Sequence, residues 1–431
     1  MTKLHAVEIS VAVPIGRFHY GLLFWCSLIM LFDGYDLVVY GSVIPLLMEQ
    51  WSLTHIQAGW MGSAALFGMM FGAVAIAPLA DRVGRRKVIL GAMTLTSLSV
   101  FANAFAGEPL SFTFLRFMTG VGLGGAVPNI VSLMSELAPR ARRNRLITIM
   151  LSCYSIGAML SALMAIVVIP ALGWHTLFLI GGLLLLFLPS MYRYLPESLP
   201  FLVGRDNGAA VRLLKRIAPQ EDTANILFEK QSTAESSPAF ALLFKDGRGA
   251  GTLFIWLGFG MCMLLVYGLN TWLPKIMVNG GYPLGSSLMF LVTLNVGATL
   301  GALGGGWLAD RFGSKSTLVL FFVLAALSLS ALGTKPGPVL LNAMLLIAGA
   351  TTIGTLAVIH AFAAQYYPSE IRSTAVGWCS AIGRFGGVAG PALGGLMLSL
   401  NLSFQLNFIF CSLPALIAIF AVAMVKRREP E

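Results

Sequence analysis

Charge is what this chain has least of. Of its 431 residues only 11% are Asp, Glu, Lys or Arg, against about 25% in soluble domains. So little charge cannot clothe a soluble surface around a chain that is 57% hydrophobic, and a soluble enzyme or soluble binding module is excluded. Cysteine and histidine are equally scarce, five of each. Cys26, Cys153, Cys262, Cys379 and Cys411 stand singly inside apolar runs, with no Cys-x-x-Cys and no histidine at ligand spacing. Neither a disulfide framework nor a metal is expected, and the cysteines read as packing residues. No short apolar core followed by a small-residue cleavage site opens the chain, so the first apolar run reads as a retained helix.

What is abundant is long apolar sequence. Apolar runs of about 20 residues with few or no charges, enough to span a bilayer as a helix, recur near 20–44, 58–79, 88–106, 111–135, 145–169 and 174–194, then near 250–277, 285–309, 316–334, 338–363, 371–399 and 404–425. They are about twice the length of a membrane strand and lack its alternation. The pattern predicts an all-α polytopic membrane protein with 12 transmembrane helices. It divides into a six-helix half over 1–194, a polar central loop over 195–249 and a second six-helix half over 250–431.

The net charge of +10 suggests nucleic acid until its distribution is read. All but four of the 28 Lys and Arg residues fall on one side of the predicted spans. Such a bias marks the cytoplasmic face, so both termini are expected in the cytoplasm, in a cell inner membrane, with no nucleic-acid partner. Within the central loop, Leu213, Leu214 and Ile217 share one side of a predicted helix and Arg212, Lys215 and Arg216 the other. That pattern predicts an interfacial helix lying on anionic lipid.

An internal repeat is visible. LADRVGRR (Leu79 to Arg86) follows the second span and LADRFGSK (Leu308 to Lys315) follows the eighth, so Asp81 and Asp310 stand in equivalent places. Parallel repeats of this kind hold substrate between the halves near the midplane and move by rocking.

These loops, the six-plus-six spans and the long central loop resemble the major facilitator superfamily over essentially the whole chain. FDGYDLVVYG (Phe32 to Gly41), LRFMTGVGLGGAVPN (Leu115 to Asn129), YLPES (Tyr194 to Ser198) and YYPSEIRSTAVGWCSAIGRFGG (Tyr366 to Gly387) are similar to the aromatic acid:proton symporters. WLPKIMVNGGYPLGSSL (Trp272 to Leu288) and AGATTIGT (Ala348 to Thr355) look most like the benzoate transporters within them. One departure is Ala77, where the first loop motif usually opens with Gly; Gly306 keeps it in the second copy. The resemblance implies a monomeric carrier, with no enzyme activity and no cofactor. It would import a small aromatic carboxylate, benzoate or a hydroxybenzoate, with protons, by rocker-switch alternating access. It assigns Asp81, Arg82, Gly84, Arg85 and Arg86, with Asp310 and Arg311 of the second copy, to the cytoplasmic gate. A carrier of another organic anion, a sugar acid or dicarboxylate, in either direction, is the alternative.

Four charges lie well inside predicted spans, away from their ends. Asp33 and Asp36 are three residues apart, on one helical face, and a charge at the bilayer centre costs at least about 2.5–3.5 kcal/mol. A carboxyl in low dielectric beside a second carboxylate is suited to carry a proton near neutral pH. A structural ion pair is the competing reading, and Asp33 is the first choice as carrier. Asp33 and Arg384 each lie about 13 residues, roughly 20 Å, into their spans, which predicts one depth and one cavity. Arg384 is expected to bind the substrate carboxylate through its bidentate fork. Arg116 is expected to pair with Asp36 or Asp33 until that group is protonated, and the reverse assignment of the arginines stays open. By resemblance, a fourth-span Arg followed by Gly, here Arg116 with Gly120, is tied to proton coupling.

An aromatic ring needs flat apolar walls and a few orienting polar groups. Tyr35, Asn129, Tyr154, Asn270, Trp272, Asn295 and Trp378 are candidates, each also readable as packing. Glu136 falls about 30 Å along the helix from Arg116 and is expected to be a gate latch. His360 reads as a structural histidine or a pH sensor. Gly120, Gly122 and Gly125 fit G-x-G-x-x-G without a preceding strand, so helix packing rather than a dinucleotide is expected.

Overall fold

The computed structural model describes residues 13–203, 205–219, 239–245, 247–368 and 371–425. Lys3, Lys230, Lys426, Arg427 and Arg428, counted above for orientation, lie outside the described residues, as do Ser369 and Glu370. The described chain is helical, with no strand. The helices are α1 (Arg17–Gln50), α2 (His55–Ala75), α3 (Arg85–Asn103), α4 (Pro109–Leu137), α5 (Arg143–Leu172), α6 (His175–Gly182), α7 (Leu184–Tyr194) and the loop helix α8 (Asn207–Ile217). They continue as α9 (Gly249–Asn279), α10 (Leu284–Phe312), α11 (Ser314–Leu332), α12 (Pro338–Thr352), α13 (Thr355–Tyr366), α14 (Arg372–Ser399) and α15 (Phe404–Met424).

Eleven helices among the described residues are long and apolar enough to cross a membrane. The remaining expected span, 88–106, is the 19-residue α3, whose apolar content is diluted by Thr94, Thr96, Ser97 and Ser99. Large apolar side chains of these helices are exposed, Val339 at 86%, Leu110 at 77% and Leu186 at 71%. Exposure on that scale marks a surface that meets lipid.

Two local departures have physical causes. The span expected over 338–363 is broken at Ile353 and Gly354. Thr351, Thr352 and Thr355 each turn a hydroxyl back to a carbonyl four residues earlier at 2.6 Å, a bond that competes with the helix ladder and bends it. The second span ends at Ala75 and continues as a tight 3₁₀ turn, Ala77–Leu79, around Pro78, which has no N–H to give the α-helix.

By contact the chain groups into two compact units. The first comprises Met1–Asp36, Phe67–Gly157 and Phe178–Ala234. Its core gathers Ile29, Met93, Ile130, Leu133, Met150 and Met191. Glycines let backbones touch: a Cβ on Gly72 would lie 2.0 Å from the Val121 carbonyl oxygen, and one on Gly34 1.9 Å from that of Tyr154. A Cβ on Gly122 would meet the Thr96 hydroxyl at 2.2 Å and the Ala92 carbonyl oxygen at 2.5 Å, so the G-x-G-x-x-G run is a packing surface against α3. The loop helix α8, capped by Asp206 at Ala209 N (2.8 Å), buries Ala210, Leu213, Leu214 and Ile217 in this core. Its apolar face is therefore covered by protein, which corrects the expectation of a helix lying on lipid.

The second unit comprises Leu37–Leu66, Ala158–Leu177 and Glu235–Glu431. Here α9 packs on α14, where a Cβ on Gly386 would lie 1.9 Å from the Gly260 oxygen, and α10 on α12 through Gly301 and Ala350 at 2.1 Å. The later part of α1 joins α9 with Gly41 against the Asn270 oxygen at 2.1 Å. The start of α2 joins α14, where Ser63 Oγ donates to the Val388 oxygen at 2.6 Å.

Candidate functional site

In the first unit, α1 and α4 bring two of the four intramembrane charges together. Arg116 Nη1 donates to Asp36 Oδ1 at 2.7 Å and lies 3.4 Å from the Asp36 carbonyl oxygen. The residues are only 2% and 4% exposed. A pair so buried has strong mutual attraction and a heavy desolvation penalty, so removing one partner strands the other. Asp33, one turn earlier, is 6% exposed, and Tyr35 4%; the Tyr35 ring lies against Gly181. Tyr154 presents its backbone to Gly34 at the α1–α5 crossing.

A second cluster of the same unit surrounds the loop after α2. Gly84 has φ +106, a conformation costly for any residue with a Cβ, and the same turn starts α3. Arg85 pairs with Glu136 Oε1 of α4. Ser198 Oγ donates to the other Glu136 oxygen at 2.7 Å. The Arg86 backbone N–H donates to Glu197 Oε1 at 3.0 Å, and the Arg86 guanidinium to the Tyr192 carbonyl. Arg205 reaches the carbonyls of Arg82 and Asp81 at 3.0 and 3.3 Å, while the Asp81 side chain is exposed. Asn129 belongs here too: its Oδ1 accepts from Arg85 at 3.4 Å and its Nδ2 donates to Ala77 and Gly125 oxygens at 3.2 and 2.8 Å. Glu197 was absent from the sequence-derived set; the acid in the YLPES stretch was the signal for it.

In the second unit, Arg384 is half-buried on α14. One turn on, the Tyr267 ring of α9 lies 3.0 Å from a Cβ built at Gly387. Tyr267 was also missed, although it stands one helical turn before Asn270. Asn270 and Asn295 meet directly, Asn295 Nδ2 donating to Asn270 Oδ1 at 3.2 Å, with both residues almost fully buried. Trp272 is sealed against α14 and donates to the Pro391 oxygen at 2.8 Å. Trp378 stacks obliquely on Phe240 at 4.7 Å and lies 6.4 Å from Trp256, in an aromatic group at the start of α14. His360 meets Phe259 edge-on at 4.7 Å. Asp310 and Arg311 are exposed, the Arg311 guanidinium resting over Trp307 and Phe312. Among the described residues no group of three or more His, Cys, Asp or Glu gathers as a metal site, and the five cysteines are free thiols.

A bundle of membrane-crossing helices with a buried cation–carboxylate pair and a duplicated Asp-Arg-x-Gly loop defines a multi-pass transporter. The chain belongs to the major facilitator superfamily, which it matches over residues 26–305 and 285–431. The benzoate transport protein of Acinetobacter baylyi is 38% identical, covering 96% of this chain and 90% of that protein. The 4-hydroxybenzoate transporter PcaK of Pseudomonas aeruginosa is 35% identical, with 96% and 94% covered. The gentisate transporter of Corynebacterium glutamicum is 34% identical, with 93% and 86% covered. Among solved structures, the D-xylose-proton symporter superposes with a TM-score of 0.76 at 18% identity, covering 96% of this chain and 99% of that one; this likeness concerns the fold.

Proposed function

We propose that the protein imports a small aromatic carboxylate, benzoate or a hydroxybenzoate, together with protons, by alternating access of the halves 1–194 and 250–431. The substrate class is supported by relatives named for benzoate, 4-hydroxybenzoate and gentisate. The observation that carries the coupling is the buried Arg116–Asp36 pair. Protonating Asp36 discharges its side of the pair and frees the guanidinium, so proton occupancy and helix arrangement become linked. The pairing favours Asp36 over Asp33 as the group that Arg116 senses, with Asp33 as its neighbour on the same face.

Arg384 takes the role of binding the substrate carboxylate, since its planar fork matches a carboxylate. Tyr267 adds a flat apolar wall one turn along, and Asn270 with Asn295 a polar group for ring substituents. The Arg85–Glu136–Ser198 cluster serves as the cytoplasmic gate, in an inner-membrane carrier with cytoplasmic termini that works as a monomer. Labelled benzoate uptake by Arg384→Ala tests the binding role: uptake is lost while the protein stays in the membrane, and normal uptake contradicts it. Tighter binding of gluconate than of benzoate would instead favour a sugar-acid carrier.

A further inference from the structure

A cavity of about 420 Å³ lies within the second unit between α9, α14 and α15. Its lining runs along α9 from Met261 to Ile276, about 22 Å at 1.5 Å per residue. That exceeds half of the roughly 30 Å hydrocarbon thickness, so the groove reaches from one end of the helices to about their middle. Leu396, Leu413 and Ile417, on its wall, are 49%, 41% and 44% exposed, so it opens outward from the bundle. Glycines at 268, 390 and 394 make the floor. Its one indole N–H, of Trp272, is spent on the Pro391 carbonyl. What is left is the Cys411 thiol, a weak donor, with no charged side chain in the lining to orient a carboxylate, so the transported anion does not fit here.

The mouth of the groove carries a cation. Ile276, the outermost lining residue on α9, accepts from the Gly280 N–H that closes the helix, and the Gly280 carbonyl accepts from Lys335 Nζ at 2.7 Å. The same ammonium stands 4.8 Å over the Phe404 ring, four residues beyond Leu400 of the groove. Lys335 is exposed, and with Lys275 near the end of its span it is one of only two basic residues expected on the side of the predicted spans away from the basic face. An ammonium carries three donors and suits a phosphate as a point charge.

We infer that this groove binds one acyl chain of an anionic phospholipid, with Lys335 holding the headgroup phosphate. The groove's length, apolar lining and outward opening match an acyl chain, and the cation at its end matches the charge of the head.

Native mass spectrometry of the full chain, released from nanodiscs of phosphatidylglycerol or of phosphatidylcholine, tests this. One phosphatidylglycerol is expected to stay bound after detergent and nanodisc are stripped. Ile417→Trp, which fills the groove from its exposed wall, abolishes retention in both lipids. Lys335→Gln, a surface change that leaves the groove intact, lowers the preference for phosphatidylglycerol by about fivefold, the weight of one lysine at an anionic surface. Absence of a retained lipid in the unaltered protein, equal retention in Ile417→Trp, or a dimer peak that Ile417→Trp dissolves would overturn the assignment.

Discussion

Gly84 and Gly313 occupy equivalent places in the duplicated loop, and both have left-handed φ, +106 and +85. The backbone of the repeat is thus kept in both copies, while its surroundings differ. Around Gly84 the partners are acids: Glu136 for the Arg85 side chain and Glu197 for the Arg86 N–H. Around Gly313 they are neutral: Lys315 Nζ donates to the Ala423 and Val425 carbonyls at 2.9 and 2.6 Å, and Arg311 rests on rings. The first copy ties α3 and α4 to the start of the central loop by charge. The second fastens the end of α15. A charged tie at partial exposure is sensitive to ionic strength, and a carbonyl clamp is much less so.

The comparison can be broken in order of cost. Gly84→Ala meets both a glycine-only backbone, worth about 1–3 kcal/mol, and the Glu197 carboxylate 2.4 Å from the new Cβ. It should give the largest fall in thermal stability of the purified protein, and Gly313→Ala, where the φ of +85 carries the same kind of backbone strain, a smaller one. Equal losses would remove the distinction between the copies. Glu136→Gln removes the charge that Arg85 and Ser198 share and should cost about 2 kcal/mol, with the difference from wild type shrinking in high salt. Ser198→Ala loses the hydrogen bond to Glu136 and the hydroxyl that accepts from the Phe201 N–H at 3.4 Å, about 1 kcal/mol, read by the same melting experiment. Lys315→Gln, which keeps a donor for the two carbonyls, should change stability by only a few tenths of a kcal/mol and show no salt dependence.

The long membrane-crossing helices were legible because the bilayer demands long apolar runs with few charges, and eleven of the expected runs stand as membrane-length helices among the described residues. The loop repeat and the intramembrane charges were legible for the same reason, since a charge in an apolar run is conspicuous. What sequence did not disclose was direction. Depth along a helix placed Asn129 and Trp378 among wall residues, whereas their bonds and rings tie them to Arg85 and to Phe240. The amphipathic α8 showed a clear apolar face, but such a face cannot tell lipid from the protein core that covers it. Spacing alone left Arg116 between two aspartates, and the choice of Asp36 came from the crossing of α1 and α4. Tyr267 and Glu197 escaped because each sat beside a more conspicuous neighbour.

The central claim is that the Arg116–Asp36 pair couples protons to transport. It is tested most directly with Asp36→Asn in proteoliposomes, following labelled benzoate under an imposed inward proton gradient and, separately, in counterflow at equal pH. The account predicts that the variant keeps exchange and loses gradient-driven accumulation, while wild-type accumulation collapses with an uncoupler. Accumulation by Asp36→Asn at the wild-type level would contradict it.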